Sequence, residues 1–440
     1  MNWTYHPELL ATPVPRYTSY PTAAEFTDAV GRRDMERALA GVGANEPLSL
    51  YVHIPYCHEI CWYCGCNTGA ANKSQRLAAY LEALQAEIET VSGWLAGHGR
   101  VQRIAFGGGS PNAIAPEQFA ELLAIVRNRF AAQGALLSVE VDPRSLSGPW
   151  FDAIAAAGVC RASLGVQTLD PRVQAAIGRV QPENMIRKAA RELRRAGVKS
   201  LNFDLMYGLP HQGPEELEAT LASAIEMLPD RIALFGYAHV PQLIPRQRRI
   251  DARALPDAEA RFAQAELGHR ILTHAGYLPV GFDHYALPHD PLAIAAGEGR
   301  LHRNFQGFAD DSARALIGLG ASSISQFPGL IVQNEKNAGR YRARALAGML
   351  SASQGVARTA EDQRRGRIIE QLLCGGEATI GDLFDPDLQE RLHPFLERGL
   401  ATIECGRLRL PDYGRPYARV IASQFDTYRQ PAIRQFSSAI

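Results

Sequence analysis

Tyr56-Cys57-His58-Glu59-Ile60-Cys61-Trp62-Tyr63-Cys64-Gly65-Cys66-Asn67 places four of the chain's seven cysteines within ten residues, directly after the apolar run Leu48–Pro55. The first three are spaced C-x3-C-x2-C. A loop of this kind after a strand can present three thiolates to a cubane, and thiolates are the ligands that iron–sulfur clusters require. Three ligands leave the fourth iron open to a small chelating molecule. We therefore expect Cys57, Cys61 and Cys64 to hold one 4Fe-4S cluster. Structural zinc wants four closed ligands, commonly two pairs, yet Cys160 sits at a strand start and Cys374 and Cys405 are single and distant. Cys66, with only Gly65 between it and Cys64, is poorly spaced for the same cubane and reads as a thiol near the site.

Outward from this loop, short β-rich runs alternate with helical patterns, the signature of βα units on a parallel sheet. The expected strands are Leu48–Pro55, Val101–Gly107, Leu137–Asp142, Arg161–Gln167, Ser200–Tyr207 and Arg231–His239. Between them, Leu81, Leu84, Ile88 and Val91 share a helical face, as do Phe119, Leu122, Leu123 and Val126, and Leu217, Leu221, Ile225 and Leu228. About six βα repeats result, an α/β chain whose polar strand ends (Gly107–Ser110, Glu140, Gln167, Asp204) collect at one mouth. Tyr277–Tyr285 and Ala315–Ile324 read as further strands, and Tyr341–Gly348 as a solvated helix. From about Ala360 helices dominate, with a terminal β pair, Ala401–Glu404 and Arg407–Leu410. The division expected is an N-terminal extension over the site (1–45), a barrel with additional strands (46–355) and a small, mostly helical C-terminal domain (356–440).

The 46 basic and 46 acidic residues cancel, so no global charge draws the molecule to nucleic acid or to an anionic membrane. No apolar stretch reaches spanning length and the opening lacks a signal-peptide layout. A cytoplasmic protein in a reducing compartment is expected.

Beyond the cysteines and the glycine-rich strand end, which define the radical S-adenosylmethionine (SAM) superfamily, further segments narrow the resemblance. They are Pro15-Arg16-Tyr17-Thr18-Ser19-Tyr20-Pro21-Thr22, Tyr51-Val52-His53-Ile54-Pro55, Cys64-Gly65-Cys66-Asn67, Phe203-Asp204-Leu205-Met206-Tyr207-Gly208-Leu209-Pro210, His302-Arg303-Asn304-Phe305-Gln306-Gly307 and Phe425-Asp426-Thr427-Tyr428. Together they resemble the motifs of oxygen-independent coproporphyrinogen III oxidase, nearly end to end. The resemblance implies a radical SAM partial (βα)6 barrel and two SAM molecules beside one cluster. It implies that Tyr51, Gly108, Glu140 and Ile324 contact the cluster-bound SAM. Gly109, Ser110, Gln167, Arg179, Asp204 and Ala238, with the backbone at Tyr63, would contact the second. Ser110-Pro111 stands where the family pattern has Thr-Pro, which keeps the hydroxyl and loses a methyl.

Read from the residues alone, each position also has an ordinary alternative. A Gly-Gly-Gly turn lets a ligand approach the backbone but is often only a turn. Glu140 and Asp204 can accept hydrogen bonds from ribose hydroxyls or an ammonium, and Arg179 can pair with a carboxylate, yet an aspartate at a strand end is frequently a helix cap and arginines are usually solvated.

The implied reaction turns two propionates of coproporphyrinogen III into vinyls, giving protoporphyrinogen IX. The cluster reduces SAM to a deoxyadenosyl radical, which takes a hydrogen from each propionate; cofactors carry this chemistry and the protein positions it. No protein acid, base or nucleophile is demanded, though Tyr51 is a candidate for a catalytic part. A substrate with four carboxylates calls for arginine forks; Arg16 and Arg303 are the candidates, with Arg246, Arg248 and Arg249 behind them. An electron donor such as flavodoxin or ferredoxin and a monomeric state are expected. The alternatives are a haem-binding chaperone of the same lineage, or a radical SAM enzyme acting on another tetrapyrrole.

Overall fold

The computed structural model describes residues 3–71 and 74–429, so the outermost positions of the two terminal regions, 1–2 and 430–440, lie outside the described residues. Six strands follow in the expected order: β1 (Pro47–Ile54), β2 (Arg100–Gly108), β3 (Leu136–Val141), β4 (Arg161–Gln167), β5 (Ser200–Tyr207) and β6 (Arg231–Gly236). Each is the parallel neighbour of the next, as helical crossovers between successive strands require. The crossovers are α1 (Ser74–Leu95), α2 (Pro116–Arg129), α3 (Gly148–Ala157), α4 (Glu183–Arg195) and α5 (Pro214–Glu226), with α6 (Ala258–His274) after β6. The apolar stripes expected on α1 and α2 are wholly buried. On α5, Leu217 and Leu221 are buried, but Leu228 is 68% exposed. The helix ends at Glu226, and beyond its last turn the helical period no longer sets a side chain's direction.

Two expected strands divide. Tyr277–Tyr285 is an antiparallel pair, β7 (Leu278–Val280) and β8 (His284–Ala286), folded at Gly281 with φ +60°. Ala315–Ile324 becomes β9 (Ala315–Leu319), parallel to β1, and the start of β10 (Ile324–Phe327). After the turn at Pro328-Gly329 come β11 (Leu330–Asn334) and β12 (Ala352–Ala357). One twelve-stranded sheet results, in the order β12-β11-β10-β9-β1-β2-β3-β4-β5-β6-β8-β7. Its ends are not hydrogen-bonded to each other, so the barrel is partial.

The helix α7 (Ala338–Leu346) forms where a solvated helix was expected, but Tyr341 is fully buried and donates its hydroxyl to Glu87 Oε2 at 2.8 Å. Tyr341 and Ala345, four residues apart, give even this basic segment a buried stripe.

The floor of the barrel, at the strand starts, is a set of ion pairs. Arg161 grips both oxygens of Asp310 at 2.7 Å, Arg103 reaches the same carboxylate at 2.6 Å, and Arg231 meets Asp290 at 2.6 Å. Beyond the barrel, α8 (Ala360–Gly375), α9 (Pro386–Glu397) and α10 (Ala418–Ala422) surround a small antiparallel sheet in which Glu377–Thr379 joins the expected terminal pair. The core of this unit includes Leu10, Val14, Tyr17 and Tyr20 beside Ile369, Leu372, Tyr417 and Phe425. Tyr17 donates to Asp426 Oδ2 at 2.9 Å and the Tyr20 hydroxyl meets that of Thr427 at 3.1 Å, so the opening segment is anchored by the end of the chain. Among the described residues, no helix is long and apolar enough to cross a membrane.

Candidate active site

The cysteine loop leaves β1 and is pinned at both ends. Tyr56 and Cys57 pair with Gly69 and Ala70 as a short parallel ladder. In the middle, the Trp62 N–H donates to Ile177 O at 3.1 Å, and the indole lies on Gly178, where a Cβ would stand 2.6 Å from the ring. Two guanidiniums reach the Cys61 sulfur: Arg179 Nη1 at 3.2 Å and Arg144 Nη2 at 3.4 Å. Asp142 holds both, at 3.3 Å from Arg179 Nη2 and 2.6 Å from Arg144 Nη2. The Cys66 N–H donates to Cys64 Sγ at 3.4 Å, and hydrogen bonding from Cys66 lowers the Cys64 thiol to about 6. Burial pushes Cys57 the other way, to about 12.

The glycine turn that ends β2 is fastened to this loop, with Gly109 N–H donating to Ile54 O and Ser110 N–H to Tyr56 O, both at 2.8 Å. It tolerates no side chains. At Gly108, φ is +112° and a Cβ would stand 2.5 Å from the His53 ring; at Gly109 it would stand 2.5 Å from Tyr56 O. Glu140 Oε2 accepts from the Gly108 N–H at 3.2 Å. Tyr51 pairs in register with Gly318, whose missing Cβ leaves room for the Ile324 backbone. Tyr51, Gly108, Glu140 and Ile324 therefore gather at the β10, β1, β2 and β3 side of the mouth.

The second set lies across from them. Asp204 is held by Ser163 Oγ and Asn202 Nδ2, each at 2.8 Å. Gln167 adopts φ +65°, a costly backbone state for a residue with a side chain, of the kind that concentrates at functional sites. The buried Gln247 ties the two expected backbone contacts together, donating to Tyr63 O at 2.9 Å and Ala238 O at 3.0 Å. Arg179 and Ser110 are differently disposed from the rest. Every nitrogen of Arg179 is used within the protein, on Cys61, Asp142, Gly165 O and Gln181. The Ser110 hydroxyl is buried on Asn112.

A cavity of about 410 Å³ is lined by one member of each set, Glu140 and Asp204, by Ser163, by the floor arginines Arg103, Arg161 and Arg231, and by Arg16 and Arg303. Glu140 opens onto this cavity while protein withdraws it from bulk water; that withdrawal, and then the nearby Asp204 charge, push its carboxyl up to about 7. Arg16 donates to Gly236 O at 2.9 Å with its guanidinium 5.5 Å from the Phe235 ring. Arg303 stacks on Phe282 and Phe308, and its buried Nε and Nη1 have no hydrogen-bond partner among the described residues. By contrast, Arg246 bonds Thr68 and Cys66 O, and Arg249 covers Trp62, so neither is brought to the cavity.

Residues 51–224 match the radical SAM superfamily. The chain is 40% identical to the oxygen-independent coproporphyrinogen III oxidase of Bradyrhizobium diazoefficiens over 97% of both chains, and 36% identical to that of Escherichia coli K12 over 97% of this chain and 96% of that one. The solved structure of coproporphyrinogen III oxidase (HemN) from Escherichia coli, described as a radical SAM enzyme, superposes with a TM-score of 0.89 at 34% identity, covering 98% of this chain and all of that one. The chain belongs to the oxygen-independent coproporphyrinogen III oxidases. Membership of this radical SAM family brings with it a 4Fe-4S cluster and SAM.

The site fits both groups. The cluster calls for thiolates on one loop, and here two guanidiniums donate to the Cys61 sulfur and the Cys66 N–H donates to that of Cys64. The glycine turn packs so closely on the loop that any side chain would strike His53, Tyr56 or Glu140, and Glu140 and Asp204 face the cavity with acceptors suited to the ammonium or ribose hydroxyls of SAM. Arg144, Asp142 and Gln247 escape sequence reasoning, because each acts on a loop distant in sequence. An arginine two residues beyond the Asp142 turn cap carries no local mark of its sulfur contact.

Proposed function

We infer that this enzyme oxidatively decarboxylates two propionates of coproporphyrinogen III to the vinyls of protoporphyrinogen IX, a step of haem biosynthesis. The observation that carries the reading is the cavity, which brings Glu140, bonded to the glycine turn, and Asp204 together with Arg16 and Arg303. When bound, the cluster and SAM supply one-electron abstraction of a hydrogen atom. The chain's own residues bind and orient. Cys57, Cys61 and Cys64 hold the cluster, with Arg144 and Arg179 donating hydrogen bonds to the Cys61 sulfur. Tyr51, Gly108, Glu140 and Ile324 form one SAM subsite; Gln167, Asp204, Ala238 and the Tyr63 backbone form a second, at the ends of other strands. Arg16 and Arg303 hold substrate carboxylates through charge-assisted bonds. For each vinyl formed the substrate would lose a hydrogen atom, CO2 and one electron, the electron passing to an external one-electron acceptor, so no protein nucleophile enters. A flavodoxin or ferredoxin is a suitable source of the priming electron.

Anaerobic reconstitution with iron and sulfide, followed by turnover with coproporphyrinogen III and product analysis, tests this. Protoporphyrinogen IX is expected, at two SAM bound per chain before turnover. A cluster-loaded protein that binds a tetrapyrrole and leaves its propionates intact overturns the reading.

A further inference from the structure

We propose that Arg144, in the turn after β3, tunes the cluster through the Cys61 sulfur, raising its reduction potential so that a one-electron carrier can reduce it. The proposal rests on Cys57, Cys61 and Cys64 being the ligands.

The guanidinium is placed by its own turn. Asp142 caps the turn Pro143–Ser145 by accepting the Arg144 N–H at 3.0 Å, and the same carboxylate takes the side-chain Nε at 3.0 Å and Nη2 at 2.6 Å. Asn112, just past the glycine turn of β2, fixes this segment in turn: it donates to Asp142 O and to Ser145 Oγ, each at 2.8 Å, and accepts the Asp142 N–H at 3.0 Å. On the other side, Arg144 Nη1 holds Glu59 Oε2 at 2.8 Å and Nη2 reaches Glu59 O at 3.3 Å. A planar fork held on both sides has little freedom. Its Nη2 is thereby set 3.4 Å from Cys61 Sγ.

Charge singles out this sulfur. Among the described hydrogen bonds, Cys61 is the one of the three expected ligands that guanidiniums reach, Arg144 from one turn and Arg179, at 3.2 Å, from another. Two positive charges stand there against the one negative charge of Asp142, which both arginines share; Glu59 is 71% exposed and screened by solvent. Within this group one positive charge is therefore in excess. The Arg144 and Arg179 side chains are 8% and 7% exposed and Cys61 is buried, so the excess acts through a medium of low dielectric. Burial by itself would raise the Asp142 carboxyl, but Arg179 and Arg144 hold it below its ordinary value.

Reduction adds one negative charge to a cluster and its thiolates, and hydrogen bonds to the sulfurs are among the levers that set the potential. A positively charged donor at Cys61 favours the reduced state, and Asp142 opposes it. The two neighbours act with opposite sign, which a purely structural role would not produce.

Redox potentiometry of the cluster-loaded full chain, followed by the electron paramagnetic resonance signal of the reduced cluster, tests this. Arg144→Met is expected to keep its iron and to hold roughly tenfold less reduced cluster at a given ambient potential, a downward shift of about 59 mV for one electron. Arg144→Lys, which keeps the charge and loses the fork, should fall between that variant and the parent, and Asp142→Asn should move upward. A parent-like potential in Arg144→Met with the cluster intact, or a shift of Arg144→Met and Asp142→Asn in the same direction, shows a structural arginine and overturns the proposal. Should Arg144→Met take up no cluster, Arg144→Lys and Asp142→Asn decide: potentials on opposite sides of the parent support the proposal, and any other result refutes it. The ligand assignment is read separately, from the iron content of Cys61→Ser. A cluster retained there removes that assignment, whereas a cluster lost there beside an unshifted Arg144→Met removes the proposal alone.

Discussion

The floor and the mouth of this barrel are built from the same strands, yet they treat charge in opposite ways. At the floor, Arg103, Arg161 and Arg231 are matched by Asp310 and Asp290 in bonds of 2.6 to 2.7 Å. Neighbouring charges hold Asp310 well below the usual carboxylate range, against the opposing effect of burial. Higher in the cavity, Glu140 accepts one backbone N–H and is pushed up to about 7, and Arg303 meets the Phe282 and Phe308 rings where the floor arginines meet carboxylates. Buried charge that meets its partner in the fold is scaffold; buried charge left waiting marks where a ligand belongs.

The largest effects are expected at the mouth. Cys57→Ser, Cys61→Ser and Cys64→Ser should each abolish the cluster, and Cys66→Ser should retain it, as read by iron content and the visible spectrum. Loss of the cluster in Cys66→Ser would mean a different ligand set. Next comes the floor: Asp310→Asn should destabilise the protein by about 3–5 kcal/mol, the usual consequence of stranding a buried partner, as measured by urea unfolding. An unchanged midpoint would erase the contrast between the two ends.

Arg16→Ala should weaken binding of coproporphyrin III by about 1.5–3 kcal/mol, as for a charge-assisted bond, while urea stability stays near that of the parent. Asp204→Ala should leave the cluster intact and lower bound SAM from two per chain to one, by equilibrium dialysis; an unaltered ratio removes Asp204 from the second subsite. The smallest effect concerns His53. Burial lowers its imidazole to about 4 from an ordinary value near 6.5. The neutral ring's contribution to stability is therefore complete above about pH 6.5 and is lost as pH falls through 4. His53→Gln should flatten the melting temperature over that acid range.

Much of this was legible in the sequence. Arg161–Gln167 and Ser200–Tyr207 are strands at the expected boundaries because each is an alternating, β-rich run ended by a turn. The cysteine spacing announced the loop chemistry. Ala352–Ala357 escaped because Ser353, Gln354 and Gly355 carry no apolar alternation; its place comes from pairing with β11. Arg144 escaped for a related reason. In Asp-Pro-Arg-Ser it has no motif, and only tertiary packing brings it beside Cys61. Local periodicity reveals which face of an element is buried, not what polar group it will meet there.

The union of the two chain ends sets an order of assembly during synthesis. Domains form largely as they leave the ribosome, N-terminal parts first, and the six strands β1 to β6 are complete by Gly236. Tyr17 and Tyr20 must wait some four hundred residues for Asp426 and Thr427. The cysteine loop therefore has its scaffold long before the opening segment, with Arg16, is locked in place. A chain cut short before α10 would have the means to start a radical and no finished site to direct it.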